Sequence, residues 1–215
     1  MPKVRVHNFT TSLDGYSAGP DQSREEPLGV GGEDLHQWMF ATRGWHAMVG
    51  EEGGDEGLDN GFMVAGDEGI GAHVMGRNMF GPVRGPWGDE EWKGWWGDNP
   101  PYHHDVFVLT HHAHDPIPME GGTTFHFVTD GIESALEQAL VAAGGQDVRI
   151  GGGAGTIRQY LQAGLIDELH LPIVPRLLGG GERLFEDLAD LQDRYEVAEV
   201  VSSPRVAHFR LVRFR

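Results

Sequence analysis

The chain has 215 residues, enough for a domain with a substantial core, and its lack of cysteine excludes disulfides, thiolate metal sites and a cysteine nucleophile. Only 16 Lys and Arg stand against 33 Asp and Glu, and the resulting net charge of −17 repels nucleic acid and anionic membrane. A single domain over 1–215 is expected, in the cytoplasm, because Met1–Val6 lacks an apolar signal core and no run approaches the about 20 apolar residues of a membrane span.

In chain order, Val4 to Phe9 alternates as an opening strand, and Thr10 to Pro20 follows as a polar, glycine-punctuated loop suited to the wall of a site. Glu33 to Thr42 puts Leu35, Trp38 and Met39 on one helical face, with Asp34 at its edge. A carboxylate there can serve as an acid or proton relay, or simply complement the helix dipole. From Trp45 to Gly71 the chain is rich in Gly, Asp and Glu, and Leu58, Phe62, Met63 and Val64 predict one helix between mobile loops. Ala72–Met75 is a short apolar strand that runs into Gly76-Arg77-Asn78-Met79-Phe80-Gly81-Pro82, a strand–glycine–helix junction with a guanidinium at its mouth. Such a planar fork of donors suits a phosphate, although Arg77 could equally pair with surface acid.

Residues 83 to 103 hold Trp87, Trp92, Trp95 and Trp96 among glycines, prolines and acids. They fit a flap over a ring-shaped ligand, a subunit contact, or packing on the domain's own body. Val106 to Thr110 is a buried strand. His111, His112 and His114 follow it, with His103 and His104 before it, at spacings that match no helical or zinc-finger pattern. With Pro116 and Pro118 this is a loop, better suited to touching a nucleotide than to holding a metal. Phe125–Thr129 is another strand, after which Asp130 and Glu133 predict a capping box and Ile132, Ala135, Leu136, Ala139, Leu140 and Ala143 line one face of a helix closed by Gly144-Gly145.

The chain is organised around Val148 to Leu161. A β-branched strand stops at Gly151-Gly152-Gly153-Ala154-Gly155, and Thr156 leads into a helix that ends at Gly164. Glycines let a phosphate approach the backbone, and the N–H groups of the next helix favour an anion there, though a glycine turn can be only a turn. Neither G-x-G-x-x-G nor G-x-x-x-x-G-K-[ST] is present. The strand–helix–strand order predicts a right-handed crossover with parallel strands, which brings Gly76-Arg77, Thr110 and Gly151–Gly155 to the carboxyl rim of a sheet. Ile166 to Pro175 adds a strand whose prolines suit an edge or a subunit contact. Tyr195–Val201 and Arg205–Phe214 form an antiparallel hairpin, so the sheet is mixed.

The series Ser12-Leu13-Asp14-Gly15, Met75 to Phe80, Val106 to Thr110, Ile150 to Gly153, Leu165 to Leu169 and Leu177 to Gly181 resembles the dihydrofolate-reductase-like superfamily. It looks most like the C-terminal reductase domain of the bifunctional riboflavin-pathway deaminase-reductase. The resemblance implies an α/β three-layer fold: a mixed, mostly parallel central sheet flanked by helices, with a C-terminal antiparallel hairpin. It also implies NADPH as cofactor, with Gly76, Arg77, Asn78, Thr110 and His111 at the adenosine and 2′-phosphate, Gly151, Gly152, Gly153, Ala154, Gly155 and Thr156 at the pyrophosphate, and Ser17 of the first loop among the cofactor contacts. Asp34-Leu35-His36-Gln37-Trp38 is similar to the carboxylate-bearing helix start of dihydrofolate reductases, which makes Asp34 the candidate for proton supply. Two departures stand out. Gly151 occupies the place where pyrimidine reductases carry a glutamate, and the first loop lacks the tryptophan of dihydrofolate reductases.

The function implied is hydride transfer from NADPH to a C=N or masked C=O carbon of a pterin- or pyrimidine-like heterocycle, as in a 5-amino-6-(5-phosphoribosylamino)uracil reductase or a dihydrofolate reductase, with a homodimer expected. The competing readings are a nucleotide-binding homologue that has lost the chemistry and a histidine-metal hydrolase.

Overall fold

The structure, a computed structural model, describes residues 1–81, 84–88 and 92–214. Pro82 of the Gly-Arg segment, Val83 and residues 89–91 of the tryptophan-rich stretch, and Arg215 lie outside the described residues. In chain order come β1 (Val4–Val6), β2 (Thr11–Ser12), β3 (Tyr16–Ala18), α1 (Gln37–Phe40), α2 (Arg43–Met48), α3 (Leu58–Ala65), β4 (Ile70–Gly76) and α4 (Arg77–Phe80). There follow β5 (Asp105–Leu109), β6 (Ile117–Pro118), β7 (Thr124–Val128), α5 (Ile132–Ala142), β8 (Asp147–Gly152), α6 (Ala154–Gln162), β9 (Glu168–Val174), β10 (Glu182–Arg183), β11 (Tyr195–Ser202) and β12 (Ala207–Arg213). The fold is α/β with a mixed, mostly parallel sheet. The chain divides into two compact units, Met1–Arg5 with Gly69–Leu165, and Val6–Glu68 with Ile166–Arg215.

In the first unit the strand order is β1-β8-β4-β5-β7-β6, parallel throughout except for the edge pair β6–β7. Helix α5 packs over β5, β4 and β8, and α6 over β8 and β4. Strands covered by helices read as near-continuous apolar runs, which is why β4 and β5 show no alternation. Met75, Phe80, Val106, Val108 and Phe125 form one buried cluster. Each such side chain stabilises the fold by about 1.5–3 kcal/mol on burial. Among the described residues of the tryptophan-rich stretch, Trp87, Trp92 and Tyr102 lie against this cluster, and the Trp92 indole N–H donates to the Phe80 carbonyl at 2.8 Å.

One expectation is corrected here. The helix after β7 is not capped by Asp130. Its N-cap is Gly131, at φ 92°, with no side-chain cap, and the Asp130 carboxylate instead accepts from the Thr129 hydroxyl. The crossover from β7 through α5 to β8 does join parallel strands, but β5 and β4 lie between them. Sequence pattern fixes the direction of such a strand, not its slot.

In the second unit β12 pairs antiparallel with both β11 and β9, β2 adds to β9 in parallel, and β3 pairs with β10 as a separate ribbon. The expected hairpin is therefore present. The expected loop from Thr10 to Pro20 instead contains β2 and β3, held by Asp14. Its carboxylate accepts from the Leu178 and Gly179 amides at 3.1 and 2.8 Å and from the Ser12 hydroxyl at 2.6 Å. That hydroxyl first, then the two amides, hold the Asp14 carboxyl down at about 2. Two of the motifs that carried the resemblance thus meet through one carboxylate.

Strand β9 is not an edge: it has ladder partners in both β12 and β2, and Pro172 sits opposite His208. Glu33–His36 is a 3₁₀ turn that runs into α1, and only Leu35 and Trp38 of its expected face are fully buried. The acidic stretch holds two helices rather than one. In α3 the inward residues are Asp59 and Met63, whereas Leu58 and Val64 are exposed.

Asp59 belongs to a buried polar chain. The Asn8 amide donates to His170 Nδ1 at 3.2 Å, His170 Nε2 lies 3.1 Å from His208 Nδ1, and His208 Nε2 lies 3.1 Å from Asp59 Oδ1. The Ser203 hydroxyl closes the chain on Asp59 Oδ2 at 2.9 Å. A backbone amide can only donate, so His170 Nδ1 is an acceptor and its proton sits on Nε2. The same logic places the His208 proton on Nε2, facing Asp59. Every group is satisfied only while both imidazoles are neutral, and the Phe62 ring stacks on both of them.

Burial lowers the His208 value, against the opposing pull of Asp59, and it lowers that of His73 well below the ordinary 6.5, helped by the nearby charges of Arg149 and His104. A histidine whose folded value is depressed leaves stability intact above the unfolded value and removes it as pH falls below that value. The melting temperature should therefore hold from about pH 8 to about 6.5 and then fall progressively towards about pH 5. A melting series flat through that lower range would show that these rings protonate freely.

Candidate functional site

The parallel register of the first unit fixes the geometry of its carboxyl rim. Gly76, the last residue of β4, pairs with Leu109 of β5, and Met75 pairs with Gly152 of β8. The turns beginning at Gly76, Thr110 and Gly152 therefore leave the sheet at one edge, side by side, as ligand sites of open parallel sheets do. Helix α4 starts from Gly76 and α6 from Gly153, neither with a side-chain cap, so their first N–H groups point at that rim.

The glycines are needed where they stand. A Cβ at Gly76 would run into the Thr156 hydroxyl, so the turn after β4 and the first turn of α6 touch only because that atom is missing. Gly152 has φ 131°, a region few other residues enter, and its peptide to Gly153 is cis. A Cβ at Gly151, where a glutamate would stand in pyrimidine reductases, would meet the flexible end of Met79 at 3.3 Å. Ala154 and Thr156 are buried in the first turn of α6, with Gly155 half-buried between them.

Arg77 is the electrostatic centre of the rim. All three of its guanidinium nitrogens are shut off from solvent, and among the described residues no acceptor reaches any of them. Burial pulls the group down to about 10, so it is still a cation at neutral pH. Its carbon lies 3.1 Å from the centre of the Trp87 ring and 6.0 Å from that of Phe80. A desolvated cation with unused donors is costly, and the cost is recovered when an anion binds in plane with the fork. Among the described residues no carboxylate reaches the Arg77 guanidinium.

Thr110 is buried, and its hydroxyl serves the turn that follows it, accepting from the His112 amide at 3.1 Å. His111 and Asn78 are exposed at the same rim. The clustered histidines have local roles: His103 faces the Gly121 carbonyl at 2.9 Å, His104 faces His73 at 2.5 Å, and His114 faces the Asp115 carbonyl at 2.6 Å. Among the described residues no group of three or more His, Asp or Glu is placed to hold a metal ion, and no helix is long and apolar enough to cross a membrane.

Gly76 to Thr156 of the candidate set thus converge within the first unit. Ser17 and Asp34 belong to the second. Ser17 is buried and gives its hydroxyl to the Glu182 carbonyl at 3.2 Å, whereas Asp34 is exposed on the 3₁₀ turn. The sequence reading names Trp87 as a flap or packing candidate but does not join it to Arg77. The signal was present, since a tryptophan follows the Gly-Arg segment closely, but nothing local connects the two.

A family model described as the RibD C-terminal domain matches residues 2–209. The chain belongs to that family. Among solved structures, a protein assigned to riboflavin biosynthesis from Shewanella sp. PV-4 is 24% identical with a TM-score of 0.59, each chain covering 100% of the other. RibD from Acinetobacter baumannii is 18% identical with a TM-score of 0.54, and the present chain covers 58% of it. A dihydrofolate reductase from Enterococcus faecalis, solved with NADP(H) and RAB-propyl, is 15% identical with a TM-score of 0.52 over 99% of this chain and 97% of that one. At these identities the likeness establishes the dihydrofolate-reductase-like fold. No curated protein matches the sequence.

Proposed function

We propose that this RibD C-terminal domain chain is an NADPH-dependent reductase acting on a pterin- or pyrimidine-like heterocycle. The observation that carries the reading is Arg77: a solvent-excluded guanidinium with no acceptor among the described residues, at the carboxyl rim of a parallel sheet beside a glycine-lined helix N-terminus. That pairing suits a ligand with two separated phosphate groups, one held by a side-chain fork and one by backbone N–H groups. The Enterococcus faecalis dihydrofolate reductase, solved with NADP(H), supports the choice of nicotinamide nucleotide.

Bound NADPH would supply the hydride; the chain's part is to hold, orient and exclude water. Arg77 would take the 2′-phosphate. Gly152, Gly153 and the first N–H groups of α6 would take the pyrophosphate, and Thr156, pinned under Gly76, would keep the two turns at a fixed distance. Asp34, an exposed carboxylate, is the residue proposed to supply the proton.

Incubation with NADPH and a panel of pterins, folates and riboflavin-pathway pyrimidines tests the proposal by the loss of nicotinamide absorbance. Turnover with one of them is expected. Tight NADPH binding with no oxidation across the panel would instead favour a homologue that keeps the nucleotide and has lost the chemistry, and absence of binding would end both.

A further inference from the structure

Among the described residues the Arg77 guanidinium has no acceptor, and a ring of the tryptophan-rich stretch lies against it. The Trp87 ring sits over the guanidinium at 3.1 Å. It is held there by its indole N–H, which donates to the His112 carbonyl at 2.9 Å, and by edge contacts with His114 and Phe127 at 4.6 and 4.9 Å. Trp87 therefore clips together the turn after β4 and the loop after β5. A cation against an indole face is attracted by roughly 2 kcal/mol when desolvated, so the closed arrangement is self-sustaining without any anion. No phosphate reaches the fork, however, while its nitrogens are out of contact with solvent.

Resting on the reading of Arg77 as the 2′-phosphate site, we propose that Trp87 is a displaceable cover on Arg77 and sets the affinity for nucleotides carrying a 2′-phosphate. Binding requires the ring to leave the guanidinium, so part of the binding energy is spent on opening. A ligand without the 2′-phosphate has no reason to open the cover and binds as though Trp87 were absent. The closed state thus acts as a competing internal ligand, lowering apparent affinity by the fraction of molecules that are shut.

The experiment uses two nucleotides that differ only at the 2′ position, adenosine 2′,5′-bisphosphate and 5′-AMP, with calorimetry and tryptophan emission on wild type, W87A and W87F. W87A should bind the bisphosphate about tenfold tighter than wild type, equivalent to about 1.4 kcal/mol, while its affinity for 5′-AMP is unchanged. W87F, which keeps a ring over the cation but loses the bond to His112, should fall between. Wild-type emission should shift on adding the bisphosphate but not 5′-AMP, and the shift should be missing from W87F. Unchanged or weaker binding of the bisphosphate by both variants overturns the cover and leaves the cofactor reading standing. Failure of all three proteins to bind either nucleotide overturns the cofactor reading, and the cover with it.

Discussion

Replacing Arg77 with methionine is expected to cost roughly 10- to 150-fold in affinity for NADPH while leaving NADH binding within about twofold, because a hydrogen-bonded charge pair contributes about 1.5–3 kcal/mol. Methionine keeps the unbranched stem and removes only the fork. The same substitution should leave the melting temperature of the nucleotide-free protein within a few degrees of wild type. Wild type carries buried donors that no described residue satisfies, and removing them relieves a cost, while losing the attraction to the Trp87 ring forfeits roughly 2 kcal/mol. Loss of binding at little cost in stability is the signature of a residue kept for function. Lysine at this position should recover only part of the affinity, since a point charge cannot grip two phosphate oxygens at once. Titration of each variant with both dinucleotides, alongside thermal melts, checks all of this. Equal losses for NADPH and NADH would show that Arg77 does not read the 2′-phosphate.

Asp59→Ala is expected to be the most damaging single change outside the rim. It removes the acceptor of both the His208 Nε2 proton and the Ser203 hydroxyl, and so leaves one buried and one half-buried donor unmet. At about 1–3 kcal/mol for each unsatisfied group the loss is about 2–6 kcal/mol. With about 2–4 °C per kcal/mol for a chain of this size, the melting temperature should drop by about 4–24 °C. Asp59→Asn keeps one carbonyl oxygen for His208 and should restore more than half of the deficit. A melt of the alanine variant within about 2 °C of wild type would show that water takes over the missing bonds.

The parts of the fold that were legible in the sequence are those in which local pattern and burial agree. Val74 and Met75, Val106 to Val108, and Val148 and Ile150 are buried in parallel strands, and glycines mark the ends of β4 and β8. The rim was legible for the same reason, because parallel strands put the residues that follow them at one edge. Helix α2 was not legible: Arg43-Gly44-Trp45-His46-Ala47-Met48 has no apolar period and buries no residue fully. The inward face of α3 was misread because its deepest contact is a carboxylate, and polar groups enter no hydrophobic stripe. The capping box failed because Gly131 alone accommodates the φ needed before α5. The proline rule failed in β9, where a buried strand keeps Pro172 within an antiparallel ladder. Neither the chain from Asn8 to Ser203 nor the pairing of Trp87 with Arg77 leaves a local trace. The first joins residues as far apart as 8 and 170, and the second depends on a loop without regular structure.

The placing of β8 between β1 and β4 has a consequence for how the protein is made. During synthesis the first strand emerges at residue 4, but the neighbour it pairs with begins at residue 147. A nascent chain must therefore carry this segment unpaired until residues 147–152 have left the ribosome. Late arrival of a central strand makes for slow, non-local closure, and in that interval β4 offers a bare edge to other chains.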